Sequence, residues 1–291
     1  MTGRGGVGRS RVAAALAGTG YVRTPDVDAA EVQVLVIAET CKPEDLDTLR
    51  SSTVPTMVVL NKADLAGADP VGPVAGSERA AAELSETVGV PVVPMIAPLA
   101  AVALSDEDMA ALRVLAASAA DMSSTDAFVD APHRLPTATR AHLLQALDRF
   151  GVAHAVLAVA EGATADSVGH RLRALSQVDR VLAQLAATAA PVRYRRLRAA
   201  VDELRCLAAC SGDEELAAFL SSDEVVLAMM ASAVDVVEGC GGTVDRGEEP
   251  DAHLRRARHW RRYADGPVSR THQRCAADIV RGSLRLLDRT R

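Results

Sequence analysis

Short runs of β-branched and aliphatic residues alternate with helical patterns over the first 120 residues. Three of these runs, at 32–38, 56–60 and 90–96, have the length and composition of buried strands. Helical spacing of apolar positions is found around them, at residues 11–16, 43–49, 77–88 and 105–118. Because buried strands alternating with helices form parallel crossovers, the pattern predicts a right-handed, doubly wound parallel sheet.

The pattern changes after residue 120. Residues 121–138 lose periodicity and gain turn-forming residues, and the chain beyond them is helical. Apolar faces of helices are indicated at Leu143 to Leu147, Val178 to Leu185, Leu197 to Leu204 and Val225 to Val236. A chain of 291 residues has the usual length of two domains. We therefore predict an α/β domain at 1–120, a linker at 121–138 and an α-helical domain at 139–291.

Composition supports a core of small aliphatic side chains. Hydrophobic residues make up 49% of the chain and aromatic residues only 2%, which suits packed helices and a buried parallel sheet. Lys42 and Lys62 are the only lysines among 32 basic residues. Because Lys is so rare in this chain, each of its two positions is a candidate for a specific role.

The cysteines and the N-terminus favour a soluble, cytoplasmic protein. Five cysteines in a long chain are an odd number, so a disulfide framework is not expected. Cys206 and Cys210 share one face of a predicted helix, and we expect small buried thiols there rather than metal ligands. No apolar run approaches the ~20 residues of a membrane-spanning helix, and residues 1–20 do not resemble a secretory signal.

The N-terminus contains a candidate phosphate-binding loop. Residues 3–10 have the spacing of a Walker A motif and read Gly3-Arg4-Gly5-Gly6-Val7-Gly8-Arg9-Ser10. In such a loop, glycines let backbone N–H groups surround phosphates at the start of a helix. Arg9 stands where the motif has Lys, and the Ser10 hydroxyl would bind Mg²⁺. The alternative is a glycine-rich terminus that binds no ligand.

A second motif, Asn61-Lys62-Ala63-Asp64, directly follows the predicted strand at 56–60. At this place Asp64 would accept hydrogen bonds from N1–H and the 2-amino group of guanine, a donor pair that adenine lacks. Lys62 would lay its aliphatic stem on the base, and Asn61 would tie this segment to the phosphate loop. The alternative is an ordinary Asn/Asp-rich turn after a strand.

These two motifs, in this order, resemble those of the P-loop GTPases over roughly residues 3–120. The resemblance implies a P-loop α/β domain that binds GTP or GDP with Mg²⁺. The helical second domain and the segment Trp260-Arg261-Arg262-Tyr263-Ala264 are similar in texture to actinobacterial GTPases of the dynamin-like or era-like type.

Several parts of the GTPase pattern are reduced or missing. The strand before the loop is absent or reduced to a stub, and no Asp-x-x-Gly occurs between residues 18 and 30, where Asp26 and Asp28 are the available carboxylates. Where the family has Ser-Ala-Lys, this chain has Ile96-Ala97-Pro98-Leu99. Since phosphoryl transfer needs metal, positioned water and charge stabilisation together, we expect slow GTP hydrolysis or none.

Two alternatives to a weak GTPase stay open. One is a pseudo-GTPase that acts as an interaction scaffold without turnover. The other is a P-loop ATPase of the partitioning or septum-site type, whose loop has lysines where Arg4 and Arg9 stand here. The segment from Asn61 to Asp64 favours guanine over adenine, and hence the first interpretation.

The C-terminal region is strongly basic. Residues 252–291 contain eleven Arg against three Asp. The densest cluster consists of Arg255, Arg256, Arg258, Arg261 and Arg262, with His259 and Trp260 among them. Such a surface could bind an anionic partner, and we favour a protein or an anionic membrane surface over nucleic acid because the domain as a whole is close to neutral.

Overall fold

The computed structural model describes residues 1–17, 29–65 and 72–290. Asp26 and Asp28, the carboxylates considered for the switch region, lie outside these ranges. The chain divides into two compact units, Met1–Gln184 and Leu185–Arg291. The protein therefore has an α/β unit followed by an all-helical unit, each with its own core.

The first unit contains a three-stranded parallel sheet. Its strands are β1 (Gln33–Ala38), β2 (Thr56–Asn61) and β3 (Val92–Met95), hydrogen-bonded in that order. Val34 lies opposite Met57, and Val58 opposite Val92. All six residues of β2 are buried because both neighbouring positions in the sheet are filled. The three predicted strands and their parallel arrangement are confirmed.

A short N-terminal segment extends this sheet beyond β1. Thr2 lies parallel to Leu35: its N–H donates to the Val34 carbonyl at 2.9 Å, and its carbonyl accepts from the Val36 N–H at 3.0 Å. Gly3 then turns away with φ 137°, and a Cβ there would lie 2.3 Å from the Val36 carbonyl oxygen. This bridged residue, the Thr2 stub, leads directly into the glycine-rich loop.

Seven helices lie wholly within the described residues of the first unit. They are α1 (Arg9–Ala15), α2 (Pro43–Arg50), α3 (Pro73–Val88), α4 (Asp106–Ala117), α5 (Thr125–Asp130), α6 (Thr137–Ala160) and α7 (Ala165–Ser176). Short 3₁₀ turns follow β2 at Ala63–Leu65 and β3 at Ala97–Ala101. Ser105 and Asp108 form the predicted cap of α4 by exchanging hydrogen bonds, and Gly89 ends α3 in the left-handed conformation.

The boundary between the units differs from the one placed at 121–138. Within that segment lies α5, whose Phe128 is fully buried. Leu143 and Leu147 of α6 share a core with Leu112 and Leu99, the latter from the turn after β3. Because α5, α6 and α7 cover the apolar surface of this part of the α/β unit, the first unit extends to residue 184.

Helix α6 is long and apolar enough to cross a membrane, judged by length and composition alone. Two later helices, Glu214–Leu220 and Asp223–Gly239, also pass this test when the bent pair is taken as one span. The core side of α6 is buried among the helices of the first unit, including Leu143, Val152 and Ala155. A core helix of a soluble protein has the same composition, and this packing is compatible with a soluble protein.

The second unit is built from helices only. They are the C-terminal part of α8 (Val178–Ser211), α9 (Glu214–Leu220), α10 (Asp223–Gly239), α11 (Pro250–Ala264) and α12 (Arg270–Arg289). Tyr194, Met229, Trp260 and Ile279 are central to their shared core. Asp278 is 2% exposed in this core and is neutralised by Arg198, whose guanidinium donates to it at 3.0 Å.

The end of α8 is more open than its sequence pattern indicates. Cys206 and Cys210, which we expected to be buried, are exposed, and Leu204 is also 38% exposed. Val201 and Ala208, seven residues apart, are the buried positions of this stretch. They define a narrow stripe of two helical turns, so residues on the other faces of the helix, both thiols included, meet solvent.

Candidate functional site

The glycine-rich loop connects the Thr2 stub to helix α1. Gly6 and Gly8 have backbone φ values of 80° and 86°, which residues other than glycine rarely adopt. Gly8 is the residue from which α1 begins, and Val7 turns into the core with 3% exposure. The first N–H groups of a helix have no partner within it, so those of Arg9 and Ser10 are oriented for an external acceptor. Arg9 and Ser10 are both exposed.

Arg4 anchors the start of this loop to α2. Its Nε lies 3.2 and 3.0 Å from the two carboxylate oxygens of Asp45, a residue that is only 1% exposed. The same carboxylate accepts from the Lys42 N–H at 3.0 Å and thereby caps α2. Because a buried carboxylate needs this compensation, the Arg4 guanidinium is held in place by the fold.

Asn61, the last residue of β2, joins three segments through one side chain that is 2% exposed. Its Nδ2 donates to the Val7 carbonyl at 2.9 Å, and its Oδ1 accepts from the Ala97 N–H at 3.2 Å. The expected tie between Asn61 and the glycine-rich loop is therefore present. The segment after β3, where the family motif is absent, is held by the other end of the same amide.

Lys62 and Asp64 follow Asn61 on a tight turn. Lys62 has φ 60° and is exposed, and its carbonyl accepts from the Leu65 N–H at 2.9 Å. Asp64 is partly buried, and burial raises the pKa of its carboxyl group; the nearby charge of Asp148 acts in the same direction. A partly desolvated carboxylate binds hydrogen-bond donors more strongly than one in bulk water.

A cavity of ≈ 440 Å³ lies between the two motifs, within the usual size range of small-molecule sites. From the loop it is lined by Gly6, Gly8, Arg9 and Ser10, and from the second motif by Asn61, Lys62 and Asp64. The fold thus brings together two motifs that are some fifty residues apart in sequence. Of the predicted site residues, Gly3, Gly5 and Val7 do not line the cavity: Gly3 makes the turn from the stub, and Val7 is buried.

Two residues that line the cavity, Arg11 and Asp148, were not predicted from the sequence to belong to the site. Arg11 of α1 donates from both terminal nitrogens to the Gln145 carbonyl at 3.2 Å, which links the loop's helix to α6. Asp148 lies within α6 but has φ 58° and ψ 173°, so the helix is broken at that residue. Residues 143–147 show a regular apolar face, and only the neighbouring Gly151 indicated a break.

The donors for Mg²⁺ are few in the described ranges. Ser10, the residue expected to bind Mg²⁺, lines the cavity. Within residues 1–17, 29–65 and 72–290, no group of three or more His, Cys, Asp or Glu side chains is arranged to hold a metal ion. A bound Mg²⁺ at Ser10 would therefore take most of its oxygen ligands from phosphate and water, as this ion commonly does.

The basic cluster of the second unit is only partly a surface. Arg256 and Trp260 are only 4% and 3% exposed. The prediction that they belong to an exposed binding surface is therefore wrong. Arg256 donates to the carbonyls of Asp245 and Gly247 and to the Ser283 hydroxyl, and burial lowers its pKa.

The other arginines of the cluster are exposed. Arg255 and Arg261 face Asp245 and Asp265 at 3.6 and 3.8 Å, respectively. Arg258 and Arg262 are exposed, and within the described part of the chain neither has a salt-bridge partner. These two arginines carry the uncompensated positive charge of α11.

The chain matches no protein-family model, no curated protein and no solved structure. The geometry of the cavity and of its lining residues is therefore the basis for assigning a function.

Proposed function

We propose that this protein binds a guanine nucleotide, GDP or GTP, in the cavity between the glycine-rich loop and the Asn61–Asp64 turn. The observation that carries the proposal is the Asn61 side chain, which fixes both motifs around one cavity through Val7 and Ala97. An ordinary turn after a strand does not require a buried amide bonded to a loop some fifty residues away.

Asp64 supplies the base specificity in this proposal. It lines the cavity on a turn that is fixed by β2 on one side and by the Leu65 to Lys62 hydrogen bond on the other. Its two oxygens accept from the adjacent N1–H and 2-amino donors of guanine. Adenine presents an acceptor at N1 and no 2-amino group, which would leave a partly buried carboxylate unpaired.

The loop from Gly6 to Ser10 binds the phosphates. Its backbone N–H groups and the Arg9 guanidinium are the donors and the positive charge at that end of the cavity. Ser10 would hold Mg²⁺ through its hydroxyl, and the ion would neutralise phosphate charge when bound. The close approach of the two motifs around the cavity supports this assignment. A Cβ at position 8 would lie 2.3 Å from Asn61 Nδ2, so this approach requires Gly8.

Hydrolysis is slow or absent in this proposal. Arg9 replaces the compact Lys ammonium with a planar and bulkier guanidinium. No Asp-x-x-Gly occurs between residues 18 and 30, where the resemblance would place the motif that senses the terminal phosphate through the metal. We expect turnover below the ~10⁻⁴ s⁻¹ intrinsic rate of a small switch GTPase, which corresponds to a binding protein with at most weak GTPase activity.

The helical unit carries the partner contacts in this proposal. Arg258 and Arg262 give α11 an exposed positive face suited to an anionic protein or membrane surface. Reversing both to Glu should abolish salt-sensitive binding to vesicles containing anionic lipid and leave nucleotide affinity unchanged. Unchanged vesicle binding would contradict this role.

The central experiment measures binding of fluorescent GDP, GTP and ATP with Mg²⁺, followed by competition with xanthosine diphosphate. Wild type should prefer guanine over adenine nucleotides by about 10²-fold or more. Asp64→Asn should weaken GDP and strengthen xanthosine diphosphate, because xanthine carries an oxygen where guanine has its amine. Asp47→Asn, an exposed carboxylate on α2, is the matched control.

Each contrary result has a definite meaning. Equal affinity for ATP and GTP would favour the P-loop ATPase alternative. Loss of both diphosphates alike in Asp64→Asn would show that Asp64 does not read the base. If the protein binds none of these nucleotides, the proposal is refuted and the interaction-scaffold alternative is favoured.

A further inference from the structure

Helix α6 is interrupted at the one residue by which it lines the cavity. Asp148 has φ 58° and ψ 173°, a region that is essentially restricted to glycine. The helical runs on both sides of it contribute buried residues, Leu147 before and Val152 after. Packing on each side therefore holds Asp148 in a conformation that its own backbone disfavours.

The groups freed by the break are engaged in ways that orient Asp148. In an unbroken helix the Arg149 N–H would donate to the Gln145 carbonyl. Here the Arg149 N–H donates to Oδ1 of Asp148 at 2.7 Å, and the Gln145 carbonyl accepts from Arg11. The carboxylate is thus fixed by one oxygen, and no described residue provides a hydrogen bond to Oδ2.

The position of Asp148 restricts what it can bind. It lines the same cavity as Lys62 and Asp64, and it is close enough to Asp64 for its charge to raise the pKa of that carboxyl group. A carboxylate repels phosphate, and in the proposed function the donors of the guanine edge are taken by Asp64. Apart from the second hydrogen of the 2-amino group, the remaining donors of a guanine nucleotide are the hydroxyl groups of its ribose.

We propose that Asp148 accepts hydrogen bonds from the ribose hydroxyl groups of the bound nucleotide, so that the site selects ribonucleotides over 2′-deoxyribonucleotides. This inference rests on the proposed guanine-nucleotide site and adds α6 to it as the ribose-binding wall. Asp148 is a specificity-determining residue, and Arg11 is a positioning residue that satisfies the carbonyl exposed by the break.

The test compares the affinity ratio of GDP to 2′-deoxy-GDP in three proteins. Wild type should bind GDP about tenfold more tightly, the size of one hydrogen bond to a charged acceptor. Asp148→Gly should bring the ratio to within about twofold, and Asp148→Asn, which keeps a neutral acceptor, should give an intermediate ratio. Using the ratio within each protein cancels any effect of the substitution on base or phosphate binding.

Two further measurements separate recognition from structure. Glycine adopts the observed backbone conformation without strain, so Asp148→Gly should melt at the same or a higher temperature than wild type while losing selectivity. Asp126→Asn, an exposed carboxylate in the first turn of α5, should keep both the melting temperature and the wild-type ratio.

The inference is overturned if wild type binds GDP and 2′-deoxy-GDP equally, or if Asp148→Gly keeps the wild-type ratio. A change in the ratio of GDP to inosine diphosphate, which lacks the 2-amino group, with the deoxy ratio unchanged, would place Asp148 at the base and also overturn it. If wild type binds no guanine nucleotide, the proposed function fails and this inference fails with it.

Discussion

The side-chain amide of Asn61 and the backbone of Gly8 are so close that no Cβ fits between them: an added methyl carbon at Gly8 would lie 2.3 Å from Asn61 Nδ2. That amide also donates to the Val7 carbonyl at 2.9 Å. The glycine at position 8 is therefore required by the contact between the two motifs as well as by its φ of 86°.

Gly8→Ala should separate this requirement from general loop flexibility. We expect its free energy of unfolding to fall by about 2 kcal/mol, because alanine is strained at this φ and displaces the buried Asn61 amide. Gly5→Ala is the control, since a Cβ at Gly5 meets no atom within 4 Å and its φ is not positive. Chemical denaturation measures both, and equal stability of the two variants would contradict the packing described.

Arg9 should contribute charge to phosphate binding. Arg9→Ala is expected to weaken GDP binding by roughly 1.5–3 kcal/mol, the size of a charge-assisted hydrogen bond. Arg9→Lys should preserve or improve affinity, because it restores the residue found in the motif. Isothermal titration calorimetry with GDP compares wild type and the two variants. Identical affinities would mean that the Arg9 side chain takes no part in binding.

The raised pKa of Asp64 predicts a pH-dependent stability. Since the folded state favours the protonated carboxyl group, ionisation destabilises the nucleotide-free protein as the pH rises through the folded pKa. Asp64→Asn should therefore raise the melting temperature at neutral pH, and this gain should shrink as the pH falls towards the unfolded pKa of Asp, near 4.

Asp108 provides a comparison of opposite sign. Burial alone would raise its pKa, but hydrogen bonds from Ser105 and the proximity of His142 lower it overall. Asp108→Asn should thus lower the melting temperature at neutral pH, and the loss should disappear below the folded pKa. Thermal unfolding of both variants between pH 3 and pH 7 tests the pair, and shifts of the same sign would refute the assignment.

The buried and the exposed arginines of α11 should respond differently to substitution by alanine. Arg256→Ala removes the donor to the carbonyls of Asp245 and Gly247 and should cost about 2–4 kcal/mol of stability. Arg258→Ala, at an exposed position two residues before the buried Trp260 and on the other side of α11, should change the free energy of unfolding by less than about 0.5 kcal/mol. Urea denaturation compares them, and a stable Arg256→Ala protein would count against the buried network.

Four of the five cysteines should react in two classes. Cys206, Cys210 and Cys240 are exposed, whereas Cys275 is fully buried, and burial raises the pKa of its thiol to about 11. Because the thiolate is the reactive form, iodoacetamide at pH 8 should modify the first three in the native protein and Cys275 only after unfolding. Peptide mass spectrometry identifies the modified cysteines. Rapid modification of Cys275 in the native protein would contradict its place in the core.

The regular elements were predictable because their signals are local. β1, β2 and β3 follow from β-branched runs, and α4 from the Ser105 and Asp108 cap. The cavity was predictable in part, because the two motifs are recognisable in the sequence and Asn61 was expected to contact the glycine-rich loop. Whether a nucleotide occupies it stays a prediction.

The residues that were missed depend on long-range packing. Asp148 breaks α6 through contacts on both sides of it, and nothing in its own neighbourhood in sequence requires a break at that position. Arg256 was placed on a surface because a run of arginines is usually solvated, yet backbone carbonyls of the segment before α11 satisfy its guanidinium. Similarly, Cys206 belongs to a helix with only a narrow buried stripe.

The central position of β2 has a thermodynamic consequence for ligand binding. Asn61 extends directly from a strand that is buried at all six positions. The glycine-rich loop is held through Thr2, Arg4 and Val7, but its remaining residues are largely exposed. The base end of the cavity is thus preorganised, and the conformational entropy lost on binding should fall mostly on the phosphate end. Amide hydrogen exchange would then slow from Gly5 to Ser10 when a nucleotide binds, while β2 exchanges slowly with or without it.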